Sequence, residues 1–180
     1  MDSLQGKLLI AGPDLWDPNF RRTIVLIGHH DDEGAVGVVL NRASDVTVDE
    51  AAPPLAELVE PGDLLYLGGP VQPRSAVVLA DFAEPERAEV LAFGTIGFFS
   101  GEGEPGETEG IRQARVFAGY AGWGPGQLEA EMEEESWIVE EAYPGDVFTP
   151  SPEALWEAVL RRKGPSFHML STMPVDPTSN

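Results

Sequence analysis

Thr23-Ile24-Val25-Leu26-Ile27-Gly28-His29 and Val36-Gly37-Val38-Val39-Leu40 are two apolar, mainly β-branched runs separated by the polar stretch Asp31-Asp32-Glu33-Gly34. Short runs of this kind read as buried strands. Gly34 can take the left-handed conformation that closes a turn. The pattern predicts an antiparallel hairpin near the start of the chain. Upstream, Lys7-Leu8-Leu9-Ile10-Ala11 reads as a further short strand, closed by Gly12-Pro13.

Downstream, helices and short strands follow one another irregularly. Thr47-Val48-Asp49-Glu50 matches a capping box, and Pro53-Pro54 breaks the helix it starts, with Leu55, Leu58 and Val59 facing inward. Leu64–Leu67 and Ala76–Leu79 are strand-like runs on either side of Gly68-Gly69-Pro70, whereas Glu89–Phe93 suits a strand or a helix. Arg115–Gly119 and Trp137–Val139 read as later strands. Ser151 and Pro152 fit the N-cap and first position of a last helix, whose buried stripe is Leu155, Trp156, Val159 and Leu160 and which Gly164 ends. This order predicts an α+β domain rather than a doubly wound sheet. One domain is expected over residues 1–180, with a flexible acidic loop at about 100–110 and an extended tail at about 165–180.

Composition narrows the function classes. With 180 residues, 42% of them hydrophobic, the chain can bury a real core. It has no cysteine, which removes disulfides, thiolate catalysis and cysteine-held metal clusters. No apolar run approaches membrane-spanning length and the first residues lack a secretion signal, so a cytoplasmic protein is expected. The net charge is −20, from 31 acids against 11 lysines and arginines. Polyanions are held mainly by cations, so direct binding of nucleic acid or of an anionic membrane is not expected. Solubility is the simplest use of the acid excess.

The segment Gly119-Tyr120-Ala121-Gly122-Trp123-Gly124-Pro125-Gly126-Gln127-Leu128 carries four glycines, a proline and two large aromatics. It reads as a tight strand-to-helix turn with Pro125 near the first helical position. The N–H groups of Gly126 and Gln127 are expected to face outward at the positive end of the helix, a place for an anion. Glu129, Glu131 and Glu133 to Glu135 read as a solvated face.

Several segments together resemble the YqgE/AlgH family of small bacterial proteins. They are Asp17–Thr23 after the first strand, His30–Ala35, Asn41-Arg42, Gly68-Gly69-Pro70-Val71, Gly119 to Leu128, and Trp137, in the family's order across most of residues 4–163. The resemblance implies a single α+β domain whose mixed or antiparallel sheet splits and curls into a partial barrel flanked by helices. It brings no established activity, and the family's naming as a regulator of alginate synthesis implies a genetic role. Gly12 and Ala43 depart from the family's usual methionine and proline, and the acidic Ser100–Gly110 loop stands where a helix is common.

No familiar reaction signature is present. The chain lacks a Gly-x-Ser-x-Gly elbow, a Walker loop and a dinucleotide fingerprint, so neither a cofactor nor a catalytic set is assigned. His29 and His30 neighbour three acids, but adjacent strand residues face opposite ways, so no metal site is expected. The arginines offer more: guanidinium groups suit carboxylates and phosphates. If Arg22 and Arg42, with Asn41, converge on Gly69 and on the helix start at Gly126 and Gln127, they form a small anion pocket with Tyr120 and Trp123 as walls. Alternatively, the arginines pair with internal acids and the aromatics are core. The chain thus reads as a non-catalytic binding or adaptor protein for a small anion or a protein partner. A carboxylate-using hydrolase and an indirect regulator of transcription are the alternatives.

Overall fold

The computed structural model describes residues 2–12, 15, 17–99 and 110–171, with only the backbone described for His168, Leu170 and Ser171. Most of the acidic Ser100–Gly110 stretch, and the tail beyond Ser171, lie outside the described residues. Among the described residues ten strands are formed: β1 (Lys7–Ala11), β2 (Ile24–Asp31), β3 (Gly34–Val39), β4 (Ala43–Thr47), β5 (Leu64–Leu67), β6 (Val71–Phe82), β7 (Val90–Phe93), β8 (Ile96–Phe99), β9 (Ile111–Trp123) and β10 (Trp137–Glu141). The helices are α1 (Val48–Ala51), α2 (Gln127–Glu133), α3 (Pro144–Val147), α4 (Leu155–Lys163) and α5 (Pro165–Ser171).

The strands join in the order β10-β1-β2-β3-β9-β6-β8-β7, while β5 branches off β9 and carries β4. Every pairing is antiparallel except β5 with β9. The expected hairpin is β2–β3, closed where Asp31 meets Gly34. A register shift between Ile27 and His29 bends β2. At that bend a Cβ on Gly28 would lie 2.4 Å from the Phe98 ring, so glycine lets β8 pack onto β2 and the sheet curl without closing.

Both faces of the central strands are buried, which explains their unbroken apolar runs. Leu8, Ile10, Ile24, Leu26, Val38 and Leu40 face the α4 stripe of Leu155, Trp156, Val159 and Leu160. Leu9, Ala11, Val25, Ile27 and Val39 face Leu128 of α2 together with Trp123 and Trp137. A third cluster packs Val48 and Leu55 on Val78, Ala80, Phe82, Ala114 and Val116. Thr47 caps α1 by accepting the Glu50 N–H at 3.3 Å, and Pro53–Leu58 turns as a 3₁₀ helix, so the broken helix forms as expected.

Three local expectations are narrowed or changed. Glu89–Phe93 resolves as a strand, β7, from Val90 onward. Residues 165–171 form α5 rather than an extended tail. Strand β9 continues through Gly119 to Trp123, so the first half of the glycine-rich segment is strand, held by pairs from Val71 with Tyr120 to Ala35 with Trp123, and the turn into α2 is confined to residues 124–126.

Candidate functional site

Asn41 and Arg42 lie just after β3 and organise the loop before β2. The Asn41 Oδ1 accepts the Ile24 N–H and its Nδ2 donates to the Arg22 carbonyl, both at 2.9 Å. Arg42 donates to the carbonyls of Asn19 (2.6 Å), Pro18 (2.8 Å) and Arg21 (3.2 Å). Burial, and then the neighbouring Arg21 charge, hold its guanidinium below the ordinary arginine value. Arg42 is thus a clamp on three backbone carbonyls, an outcome outside both the anion-pocket and acid-pairing expectations. Arg22 has a left-handed backbone (φ 56°) and sets its guanidinium 4.7 Å from the centre of the Trp156 ring. Arg22, Asn41 and Arg42 share a hollow of about 250 Å³ with Trp156, Glu153 and Glu157.

Gly69 borders a separate hollow of about 220 Å³ beside Arg42 and Asn19. Its role is close approach of two chains. A Cβ on Gly69 would lie 2.3 Å from the Tyr120 carbonyl, and one on Gly119 would lie 2.5 Å from the Gly69 oxygen.

The remaining expected site residues do not join this group. Tyr120 and Trp123 stand on β9 three residues apart and go to opposite faces of the sheet. Tyr120 packs with Phe117 and the α4 cluster, and Trp123 packs with Ala121, Leu128 and Trp137. They cannot wall one pocket. Gly126, not Pro125, precedes the first helical residue, and it is left-handed at φ 74°. The Gln127 N–H is bonded to the Gly124 carbonyl at 3.1 Å, and the Gln127 Oε1 accepts the Gly124 N–H at 3.0 Å. The Gln127 N–H expected to face outward for an anion is therefore engaged in a local ring of hydrogen bonds with Gly124.

Two of the supposedly solvated glutamates are structural. Glu131 Oε1 accepts both the Trp123 (3.0 Å) and Trp137 (2.8 Å) indole N–H groups, and its Oε2 accepts from Gln127 at 3.0 Å. Phe20 completes this cluster, with ring centres 6.2 and 5.7 Å from Trp123 and Trp137. Glu129 meets His30 Nε2 at 2.6 Å, while His30 Nδ1 accepts the Leu4 N–H at 2.9 Å. His30 is buried, whereas His29 is exposed beside Asp31, so the two imidazoles diverge. The His29 hydrogen bond holds the Asp31 carboxyl below its ordinary value.

A further concavity is one the sequence reading did not single out. A groove of about 540 Å³ runs beside residues 112–116 of β9, bounded by Glu60, Asp63 and Tyr66 on one side and Phe148 and Pro150 on another. Arg115 is fixed there by donating to the carbonyls of Val147 and Thr149, both at 2.9 Å. Its guanidinium lies 4.4 Å from the centre of the Tyr66 ring, a cation–π contact. Burial lowers the Arg115 pKa and raises that of Tyr66. Asp63 caps its own turn by accepting the Glu60 N–H at 3.1 Å. An arginine directly before the apolar pair Val116-Phe117 was the available signal, since a strand buries a cation only where something holds it.

This architecture has close counterparts. The AlgH-like family model matches residues 8–168. A UPF0301 protein of Streptomyces coelicolor is 46% identical, over 100% of this chain and 97% of its own length. A crystal structure of a Corynebacterium diphtheriae protein superposes with a TM-score of 0.86 at 31% identity, covering 96% of this chain and 94% of that one. The solution structure of AlgH from Pseudomonas aeruginosa gives a TM-score of 0.72 at 29% identity, with 97% of each chain covered. Segments, fold and relatives agree: the chain belongs to the YqgE/AlgH family.

Proposed function

We propose that this protein is a binding or adaptor protein whose recognition surface is the groove beside β9, rather than the glycine-rich segment. The supporting observation is Arg115: a partly buried guanidinium, pinned by two carbonyls, for which no carboxylate within bonding distance is present among the described residues. Asp63 acts on this guanidinium only from beyond bonding distance, and a rigid cation without a bonded carboxylate favours a ligand that brings one. The groove's size also suits a small ligand or a short segment of chain. With a net charge of −20, direct DNA contact is disfavoured, so any effect on transcription passes through a partner.

The hollow at Arg22 and Asn41 is a second place for a small ligand, favoured by the left-handed backbone of Arg22. Glu153 and Glu157 on its wall oppose a bare anion, as Glu60 and Asp63 do in the groove, and its volume of about 250 Å³ against about 540 Å³ ranks it below the groove.

The test is a thermal-shift screen with small carboxylates, phosphates and short peptides. A ligand of the native state raises the melting temperature by mass action. The expected result is saturable stabilisation by at least one class of anionic compound, reduced by Arg112→Ala. Absence of any stabilising compound, or stabilisation untouched by that substitution, contradicts the reading.

A further inference from the structure

Unpaired strand edges invite other chains, and proteins usually cover them. The strands at the two ends of the main strand order, β10 and β7, are protected. On β10, Lys163 donates to the Val139 carbonyl at 2.8 Å and Arg162 to the Glu141 carbonyl at 3.0 Å. On β7, Gln5 donates to the Leu91 carbonyl at 3.3 Å.

The first half of β9 differs. β6 pairs with one side of it, from Val78 with Val116 to Phe82 with Ile111. On the other side β5 runs parallel but pairs only where Tyr66 meets Phe117 and Leu67 meets Ala118, and the Gly68 N–H then bonds the Ala118 carbonyl at 2.8 Å. Before Tyr66 the two strands splay apart, and Leu64 pairs instead with Thr47 of β4. The 540 Å³ groove lies in this fork.

Main-chain groups alternate along a strand. With the Ala118 carbonyl turned towards β5, those of Val116 and Ala114 turn the same way, Val116 where Tyr66 still pairs with β9 and Ala114 into the fork. Both side chains are buried in the third cluster, so the groove meets these residues through their main chain. Val116 lies at the closed end with 0% exposure, and Ala114, at 6%, sits where the fork opens towards the exposed Arg112 and Gln113. No side chain among the described residues caps Ala114. Arg115 and Arg112 bring positive charge to this edge, with Glu60 and Asp63 elsewhere on the groove wall. Arg112 is more than half exposed, and its contact with Asp81, at 3.3 Å, is long for an ion pair.

We infer that the groove receives an extended acidic segment of a partner protein, which adds to the open edge of β9 at Ala114 and places a carboxylate on Arg115 and Arg112. This deepens the adaptor reading and rests on it. Strand addition draws affinity from main-chain hydrogen bonds and selectivity from alternate side chains. The cost of burying Arg115 makes an acidic residue the favoured side chain at that position.

The probe is an acetylated, amidated heptapeptide alternating valine and threonine around two glutamates. Matched controls carry glutamine in place of glutamate, or N-methyl groups on alternate residues of one edge or the other. Binding is read by fluorescence anisotropy, and hydrogen exchange of the full-length protein reports the Ala114 amide. The expected results are saturable binding, at least tenfold weaker for the glutamine peptide and for one of the two N-methylated peptides, with slowed exchange at Ala114. Arg112→Glu should weaken binding about tenfold while leaving the melting temperature nearly unchanged, and Ala114→Pro should abolish it while circular dichroism stays native.

If Ala114→Pro fails to fold, the N-methylated pair still decides. Equal binding of both N-methylated peptides with no protection of Ala114 overturns strand addition while leaving the adaptor reading in place. Stabilisation by small anions with no peptide binding has the same meaning. Binding by neither peptides nor small anions overturns both. A concentration-dependent dimer that protects Ala114 without peptide identifies a second copy as the occupant and overturns the inference.

Discussion

The two guanidinium groups that matter most are both held by carbonyl oxygens, one as a clamp and one as part of a groove. Replacing Arg42 with alanine removes donors to three carbonyls, and a charge-assisted bond contributes about 1.5–3 kcal/mol. A loss of about 2 kcal/mol in urea unfolding is expected, with groove binding preserved. Arg42→Lys should not restore it, because an ammonium lacks the planar fork. Glu131→Ala leaves two indole donors without their acceptor, at an expected cost of about 2–4 kcal/mol, together with a shift in tryptophan emission. Glu131→Gln keeps an acceptor oxygen and should cost clearly less. Tyr66 gives the pH dependence. Burial raises its pKa above the ordinary 10.0, so the folded state holds its proton longer than the unfolded chain. Stability is then full below pH 10 and falls as pH rises above that value towards the folded pKa. Phenolate absorbance of Tyr66→Phe should lack the latest-titrating component; an unchanged curve would refute the assignment.

At the scale of elements, glycine explains where sequence reading succeeded and where it did not. At Gly34 the turn reading was right, because the flanking β-branched runs could only return on one another as β2 and β3. At Gly119 the same residue type does another job. It sits inside a paired strand and lets the Gly69 segment pass against its backbone. Nothing local distinguishes a glycine that turns the chain from one that admits a neighbour; only the partner strand does. The site was less legible for a similar reason. Arg42 and Arg115 bind backbone carbonyls, which every residue carries, so no acidic partner marks their positions. Charge counting likewise hid Glu131, which looks like any other glutamate on α2. The contrast between glycines can be measured. Gly69→Ala and Gly119→Ala meet backbone atoms at 2.3 and 2.5 Å on top of a positive φ. Each should lower stability by several times the roughly 1 kcal/mol expected for Gly126→Ala, which has positive φ but nothing within 4 Å. Equal costs in denaturant titration would refute the close-packing role.

Over the whole molecule, the curled sheet buries both faces of β1 to β3 and protects its β10 and β7 edges, and the fork between β5 and β9 is open. A chain carrying −20 repels itself, and salt screens that repulsion over a Debye length of about 10 Å at 0.1 M. Melting temperature should therefore rise with moderate salt, while binding of an acidic peptide, which depends on Arg112 and Arg115 at short range, should weaken only where those arginines are exposed. A fall in melting temperature would show that attractive surface pairs outweigh the net charge. The fork makes the central claim specific in space. An amide NMR titration of the full-length protein with the acidic heptapeptide should perturb residues 112–116 and 60–66 first and most. Perturbations centred instead on Trp123 to Gln127, with the β9 edge silent, would contradict it.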